Sequence, residues 1–180
     1  MYFSLFPTIF YDAVGNSDPK VVTHLLKRVA VHSKARSVTA LYDTYDVRNG
    51  ETPEMIAHKY YDDAEYHWVI LLVNNITDRY HQWPMNTRQF LSHLAERYDN
   101  MDATHHYEIN QTSGNTDVKI NIGISNIDVN GDTISDATLI TNREYEEEKQ
   151  DALRKIRLLD PEYLEQFVEE FESLVSDTED

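Results

Sequence analysis

The stretch Tyr45-Asp-Val-Arg-Asn-Gly50-Glu-Thr-Pro-Glu-Met-Ile56-Ala-His-Lys-Tyr60 changes its period in the middle, and that change decides the fold. Before it, Tyr42 to Val47 alternate as a strand does, and Asn49 with Gly50 supplies a turn. After it, a helix begins at once. Thr52 caps it through its side-chain oxygen, Pro53 suits the first turn because its missing N–H would be unpaired there anyway, and Glu54 suits the positive helix end. Ile56, Ala57 and Tyr60 then fall on the inward face.

Reading outward toward the C-terminus, Asp62 and Asp63 interrupt the pattern and can cap a further element. The apolar run from Trp68 to Val73 is a helix or a buried strand; periodicity alone does not separate the two. Asn74 and Asn75 end it either way, since asparagine tolerates the left-handed conformation. Beyond Trp83 and Pro84, Phe90, Leu91, Leu94, Ala95 and Tyr98 line one face of another helix, with Arg88, His93 and Arg97 outside it. Residues 42–100 thus form one piece, rich in aromatics.

Residues 1–41 form an arm. Its opening run, Met1 to Phe10, is apolar but broken by Pro7, lacks basic residues ahead of it and is too short to cross a bilayer, so it is expected to dock on something. Val21, Val22, Leu25, Leu26 and Val29 recur at helical spacing after Asp18 and Pro19, which predicts a short helix. Residues 101–141 switch to a period of two: Val118, Ile120, Ile122 and Ile124 alternate with polar or small residues, and Asn130-Gly131 is a strong hairpin signal. A β-rich insertion is expected there. Residues 142–180 predict a helical pair, one carrying Tyr145, Ala152, Leu153, Ile156 and Leu159. Asp160 and Pro161 then open a second with Leu164, Phe167, Val168, Phe171, Leu174 and Val175 at three- and four-residue steps. These six need a cover, which the preceding helix supplies in part and a partner subunit completes.

The chain has 180 residues, 41% of them hydrophobic, no cysteine and a formal net charge of -16. The acidity is concentrated from Glu144 to Asp180, where 14 acids face 4 bases. Such a surface gains no counterion-release energy from phosphates or anionic lipid heads, so neither nucleic acid nor a membrane is an expected partner. Without cysteine, disulfide frameworks, thiolate zinc sites and thiol nucleophiles are excluded, and synthesis in a reducing cytoplasm fits.

The Tyr45–Tyr60 segment resembles the opening of a LysM module, with its strand, Gly-acid-Thr turn and helix carrying Ile-Ala; Asn74 and Asn75 fall where that module ends its second helix. The wider set Gly50-Glu51-Thr52-Pro53-Glu54, Tyr60-Tyr61-Asp62, Tyr66-His67-Trp68-Val69-Ile70-Leu71-Leu72, Asn74-Asn75 and Trp83-Pro84 is similar to the baseplate wedge protein 53 family of contractile-tailed phages. Phe10-Tyr11-Asp12, Glu144-Tyr145-Glu146 and Leu159-Asp160-Pro161 extend the similarity over most of the chain.

The resemblance implies a strand-helix-helix-strand core, with Trp68 to Val73 helical and Tyr45, Ile56, Ala57, Tyr60, Trp68, Val69 and Leu72 inside it. It also implies an α+β structural subunit of the virion tail baseplate that joins wedge subunits and neighbouring wedges, with other wedge proteins as partners and no catalysis. The alternative is a LysM protein that binds peptidoglycan or chito-oligosaccharide. A sugar-binding module closes with a second strand, whereas the corresponding stretch here is Tyr80-His81-Gln82-Trp83-Pro84-Met85 followed by a helix, which disfavours carbohydrate.

Other motifs read as structure. His105 and His106 fall in an expected loop without a second pair at ligand spacing, so no metal or cofactor is expected. Asp128, Asn130, Gly131 and Asp132 make a turn, since a calcium loop needs its glycine at the sixth position and a distal glutamate. Tyr60, Tyr61, Tyr66 and Trp68 read as core and not as a sugar-stacking platform. Asn110-Gln111-Thr112 matches a glycosylation acceptor with no secretion signal to act on it. No phosphate loop, nucleophile elbow or zinc-protease helix occurs.

Overall fold

The computed structural model describes residues 2–15, 17–26, 29–31, 39–111 and 118–176. In chain order the elements are β1 (Thr8–Tyr11), β2 (Lys20–Thr23), β3 (Tyr42–Asp46), α1 (Pro53–Tyr61), α2 (His67–Val73), α3 (Arg79–Gln82), α4 (Thr87–Arg97), β4 (Thr104–Asn110), β5 (Lys119–Gly123), β6 (Thr138–Thr141), α5 (Asn142–Arg154), β7 (Lys155–Leu159) and α6 (Leu164–Ser176). This is an α+β protein. It divides into two compact units, Met1–Trp83 with Lys155–Asp180, and Pro84–Arg154.

The first unit is built on β3, α1, α2 and β7. Gly50, at φ +79, turns the chain out of β3. The Glu51 carboxylate then accepts from the Arg48 backbone N–H, and Thr52 caps α1 by accepting from Met55 N–H. Asp62 ends that helix in the left-handed region, and Asp63 caps the next turn by accepting from Glu65 N–H. The Trp68–Val73 run is helix.

β7 pairs antiparallel with β3, with Tyr45 opposite Ile156 and Tyr42 opposite Leu159. The strand that pairs with β3 therefore comes from Lys155–Leu159 and not from the stretch after α2. Ile156 and Leu159 lie on this strand, so the first helix expected in residues 142–180 stops at Arg154. Five residues carrying Ile156, Leu158 and Leu159 fit either period, and pairing with β3 selects the extended form.

Two apolar clusters hold this unit. Val47, Ile56, Ala57, Tyr61, Ile70, Trp83, Ile156 and Leu158 form one, with Tyr45 and Tyr60 packed against it. Phe6, Trp68, Val69, Val73, Leu159, Phe171 and Val175 form the other, with Leu72 and Leu164 at its edge. Trp68 belongs to this second cluster and lies against α6.

The short helix expected around Val21 to Val29 is replaced at Lys20–Thr23 by a strand that pairs with β1, Ile9 opposite Val22 and Phe10 opposite Val21. Two adjacent valines followed by threonine are stiff at χ1 and favour a strand over a helix, and that local preference outweighs the helical spacing. The Asp12 carboxylate organises the turn by accepting from Val14, Gly15 and Ser17 N–H.

The second unit contains α4, the three-stranded antiparallel sheet β5-β4-β6, and α5. Asn86 and Gln89 form a capping box at the start of α4. The Asn130-Gly131 turn is closed by the Asp128 carboxylate accepting from Asn130 and Asp132 N–H, with Ile127 bridged to Thr133. His105 and His106 belong to β4 and not to a loop. The interior is polar: beside Leu94, the buried residues include His106, Glu146 and Gln150. Gln150 accepts from Met85 N–H at 2.8 Å. Glu146 accepts from Tyr98 Oη at 3.0 Å and Lys149 Nζ at 3.3 Å, with Arg97 Nε 3.5 Å away. Burial raises the Glu146 carboxyl, but those donors and charges outweigh it and hold the group below the usual carboxylate range.

Candidate functional site

The apolar stripe of α6 is the first surface to locate. Phe171 is only 3% exposed and Val175 is fully buried. The Phe171 ring lies 4.6 Å from that of Trp68 and edge-on to Phe6 at 6.3 Å. Leu164, Phe167 and Val168 are half-buried against the same cluster, whereas Leu174 stays 48% exposed. The cover for the stripe thus comes from α2 and the N-terminal turn. What remains open is a rim: a groove of about 260 Å³ lined by Val29, Leu72, Leu159, Tyr163, Phe167 and Leu174, with Glu170 at its edge.

The second surface is the β1–β2 ribbon. Its strands pair only with each other, so both outer edges keep unpaired backbone groups among the described residues. Phe10 is 78% exposed and Val21 61%, and Tyr11, Val14, Leu25 and Leu26 are exposed as well. A two-stranded ribbon is marginal on its own, and one that shows apolar side chains to water needs a covering surface. Sequence reading expects an arm that docks, but the helical spacing of Val21 to Val29 hides that this part of it is a ribbon; the Val21-Val22-Thr23 run is the signal.

The third place is the junction of β3 and α1. Tyr45 Oη donates to Glu51 at 2.9 Å, and Lys59 Nζ donates to Tyr45 Oη at 3.0 Å. Trp83 Nε1 donates to Glu51 O at 2.9 Å, which seats the indole over the turn, and Arg79 grips Glu54 with both terminal guanidinium nitrogens. Tyr60 Oη donates to Asp43. Burial raises the Tyr60 hydroxyl pKa, and the Asp43 charge raises it further. These polar groups are engaged with one another.

Ile56, Ala57, Trp68 and Val69 are buried, while Tyr45, Tyr60 and Leu72 pack at the edges of the same two clusters. Sequence reading misses Glu146 and Gln150, because a charged or amide side chain in an acidic run gives no sign of burial. Among the described residues no group of three or more His, Asp or Glu side chains could hold a metal ion, and no helix is long and apolar enough to cross a membrane.

Comparison with known families first gives the class: a structural protein of a phage tail baseplate. The family model for base plate wedge protein 53 matches residues 1–158, and the chain belongs to that family. A comparison with curated proteins returns no match. The chain is accordingly a component of the virion tail baseplate that interacts with other baseplate proteins. The matched span holds the ribbon and nearly all of β7, whereas α6 lies beyond it.

Proposed function

We propose that the chain joins wedge subunits, and neighbouring wedges, by docking two surfaces of its first unit onto different baseplate proteins. The observation that carries this reading is the β1–β2 ribbon, whose large apolar side chains stand in water on a protein that belongs to an assembly. The rim of α6 is the second surface: Leu174, with the outer faces of Leu164, Phe167 and Val168, meets one partner, while Phe171 and Val175 hold the helix in place. Two linked contacts reinforce each other, because closing the second becomes intramolecular once the first is made.

In this reading the strand-helix-helix-strand body is a LysM-like hub that keeps both surfaces on one rigid support. The order β3-α1-α2-β7, the Gly50-Glu51-Thr52 turn and the asparagine after α2 support that assignment. Sugar recognition is disfavoured for a reason other than a missing strand, since β7 supplies one. The Thr52 hydroxyl caps α1, and Tyr45, Glu51 and Lys59 satisfy one another, so the junction offers a sugar few open hydrogen-bonding groups.

Co-purification with the other wedge proteins tests the proposal. The double variant Phe10→Ser/Val21→Ser is expected to fold and melt as the parent does, because both side chains are exposed, yet to be left out of the wedge. Undiminished incorporation would remove the ribbon from the account.

A further inference from the structure

We propose that His105 and His106 form a one-proton latch inside the second unit, holding β4 against α5 while the pair carries at most one proton beyond neutrality and releasing when a second is forced in. His106 Nε2 lies 3.0 Å from Glu108 Oε1, and an ionised carboxylate only accepts, so Nε2 carries a hydrogen. His106 Nδ1 lies 2.8 Å from His105 Nδ1, and a bond at that distance needs one donor and one acceptor. With both rings neutral, His106 Nδ1 therefore accepts and His105 Nδ1–H donates.

One added proton fits, because whichever ring then carries hydrogens on both nitrogens donates its Nδ1–H to the bare Nδ1 of the other. A second proton does not fit: two N–H groups would face each other across 2.8 Å with no acceptor between two like charges.

The surroundings oppose that second charge. On β4 and β5, Glu108 pairs with Lys119 at 3.4 Å, so part of its charge is already answered. From α5, Tyr145 stacks on His105 with ring centres 3.8 Å apart and stands edge-on to His106 at 5.8 Å. Lys149 Nζ sits 3.9 Å from the centre of that same Tyr145 ring, and Glu146 is bound to Lys149 and to Tyr98. From α4, Arg97 lies beside Glu146, and His93 Nε2 is 3.7 Å from the same carboxylate. β6 sets Leu139 and Ile140 opposite Tyr107 and His106 and brings no titratable group. Burial pushes the His105 imidazole below its ordinary value, His106, Lys149 and Arg97 push the same way, and Glu146 opposes them.

The sign of the pH effect follows. An unfolded His105 takes up its proton near its ordinary value of 6.5 while the folded one resists. The contribution to stability is therefore intact above pH 6.5 and is lost as the pH falls below it toward the depressed folded value. One proton changes the folding equilibrium of this unit by at most about tenfold per pH unit. Glu108 and Glu146 act in a lower window, because both carboxyls are held below their ordinary 4.5.

Imidazole nitrogen NMR on the full chain, titrated from pH 8 to pH 5 with amide exchange followed in parallel, tests the latch. Expected are an Nε2–H form at His106 and an Nδ1–H form at His105 at pH 7.5, uptake of one proton by the pair, and loss of amide protection in β4 and α5 when the second enters. Two rings that titrate independently with β4 protection unchanged would overturn it. His105→Phe keeps a ring on Tyr145 but removes the proton, and should flatten the stability loss between pH 7 and 5, whereas His93→Gln should leave that loss in place. The reverse pattern would also overturn the proposal, and if His105→Phe fails to fold, the nitrogen titration of the parent chain decides alone.

Discussion

Asn74 satisfies backbone groups from two elements at once. Its Nδ2 donates to Ile70 O at 2.8 Å and to Arg157 O at 2.7 Å, while its Oδ1 accepts from Arg157 N–H at 2.9 Å. A side-chain amide offers the same donor and acceptor as a peptide group, so Asn74 ends α2 and pairs with β7 in one step. Asn74→Ala is expected to lower stability by about 1–3 kcal/mol in urea melts, because it leaves these groups without partners. An unchanged midpoint would show that water replaces the amide. Asn74→Asp should cost more, since it loses the donor and puts a negative charge beside two carbonyl oxygens. Trp68 is legible from sequence as core, but its partner is not: nothing local announces that Phe171, about a hundred residues on, lies against it. Trp68→Ala should cost about 3–5 kcal/mol, read as a lower melting temperature and exposure of α6 to proteolysis. Retention of the parent melting profile would place the indole outside the core.

At the scale of elements, β3, α1, α4 and the Asn130-Gly131 turn are readable, the first two from Gly50 and Thr52 with Pro53 and the third from its periodic apolar face, whereas the residues of α2 fit helix or buried strand and only the family resemblance makes them helix. The misread elements lack such punctuation. β7 follows α5 without a breaker, and only β3, more than a hundred residues earlier, makes it a strand. β2 carries both a helical spacing and a β-branched run. The α6 stripe is visible as one face of a helix, yet its division between internal packing and open rim depends on the tertiary neighbours Phe6 and Trp68. That division changes which substitution probes a partner. Phe171→Asp would bury an unpaired carboxylate and unfold the helix from its support. Leu174→Asp, at an exposed position, is expected to leave stability within about 0.5 kcal/mol of the parent in urea melts and to weaken co-assembly. Equal recovery of Leu174→Asp in assembled wedges would reduce α6 to an internal brace.

For the whole molecule, the two units divide the physical roles. The first spends its aromatic residues on two apolar clusters and keeps its ribbon and rim exposed, whereas the second is held by a polar interior around Glu146 and His106. Sequence composition announces a chain too polar for one large core; which charged residues go inside is decided by three-dimensional pairing. The net charge of -16 also disfavours self-association and favours neutral or basic partners. Chito-oligosaccharide titrated into the full chain is expected to give no saturable heat at millimolar ligand, and a micromolar affinity abolished by Thr52→Val would turn the reading toward sugar recognition. The central claim, that the chain is an adhesive with two docking surfaces, is tested most directly by cryo-electron microscopy of the assembled baseplate. The account predicts that the β1–β2 ribbon and the Leu174 rim are each covered by a different neighbouring baseplate protein. A baseplate in which Phe10, Val21 and Leu174 still face solvent would contradict it.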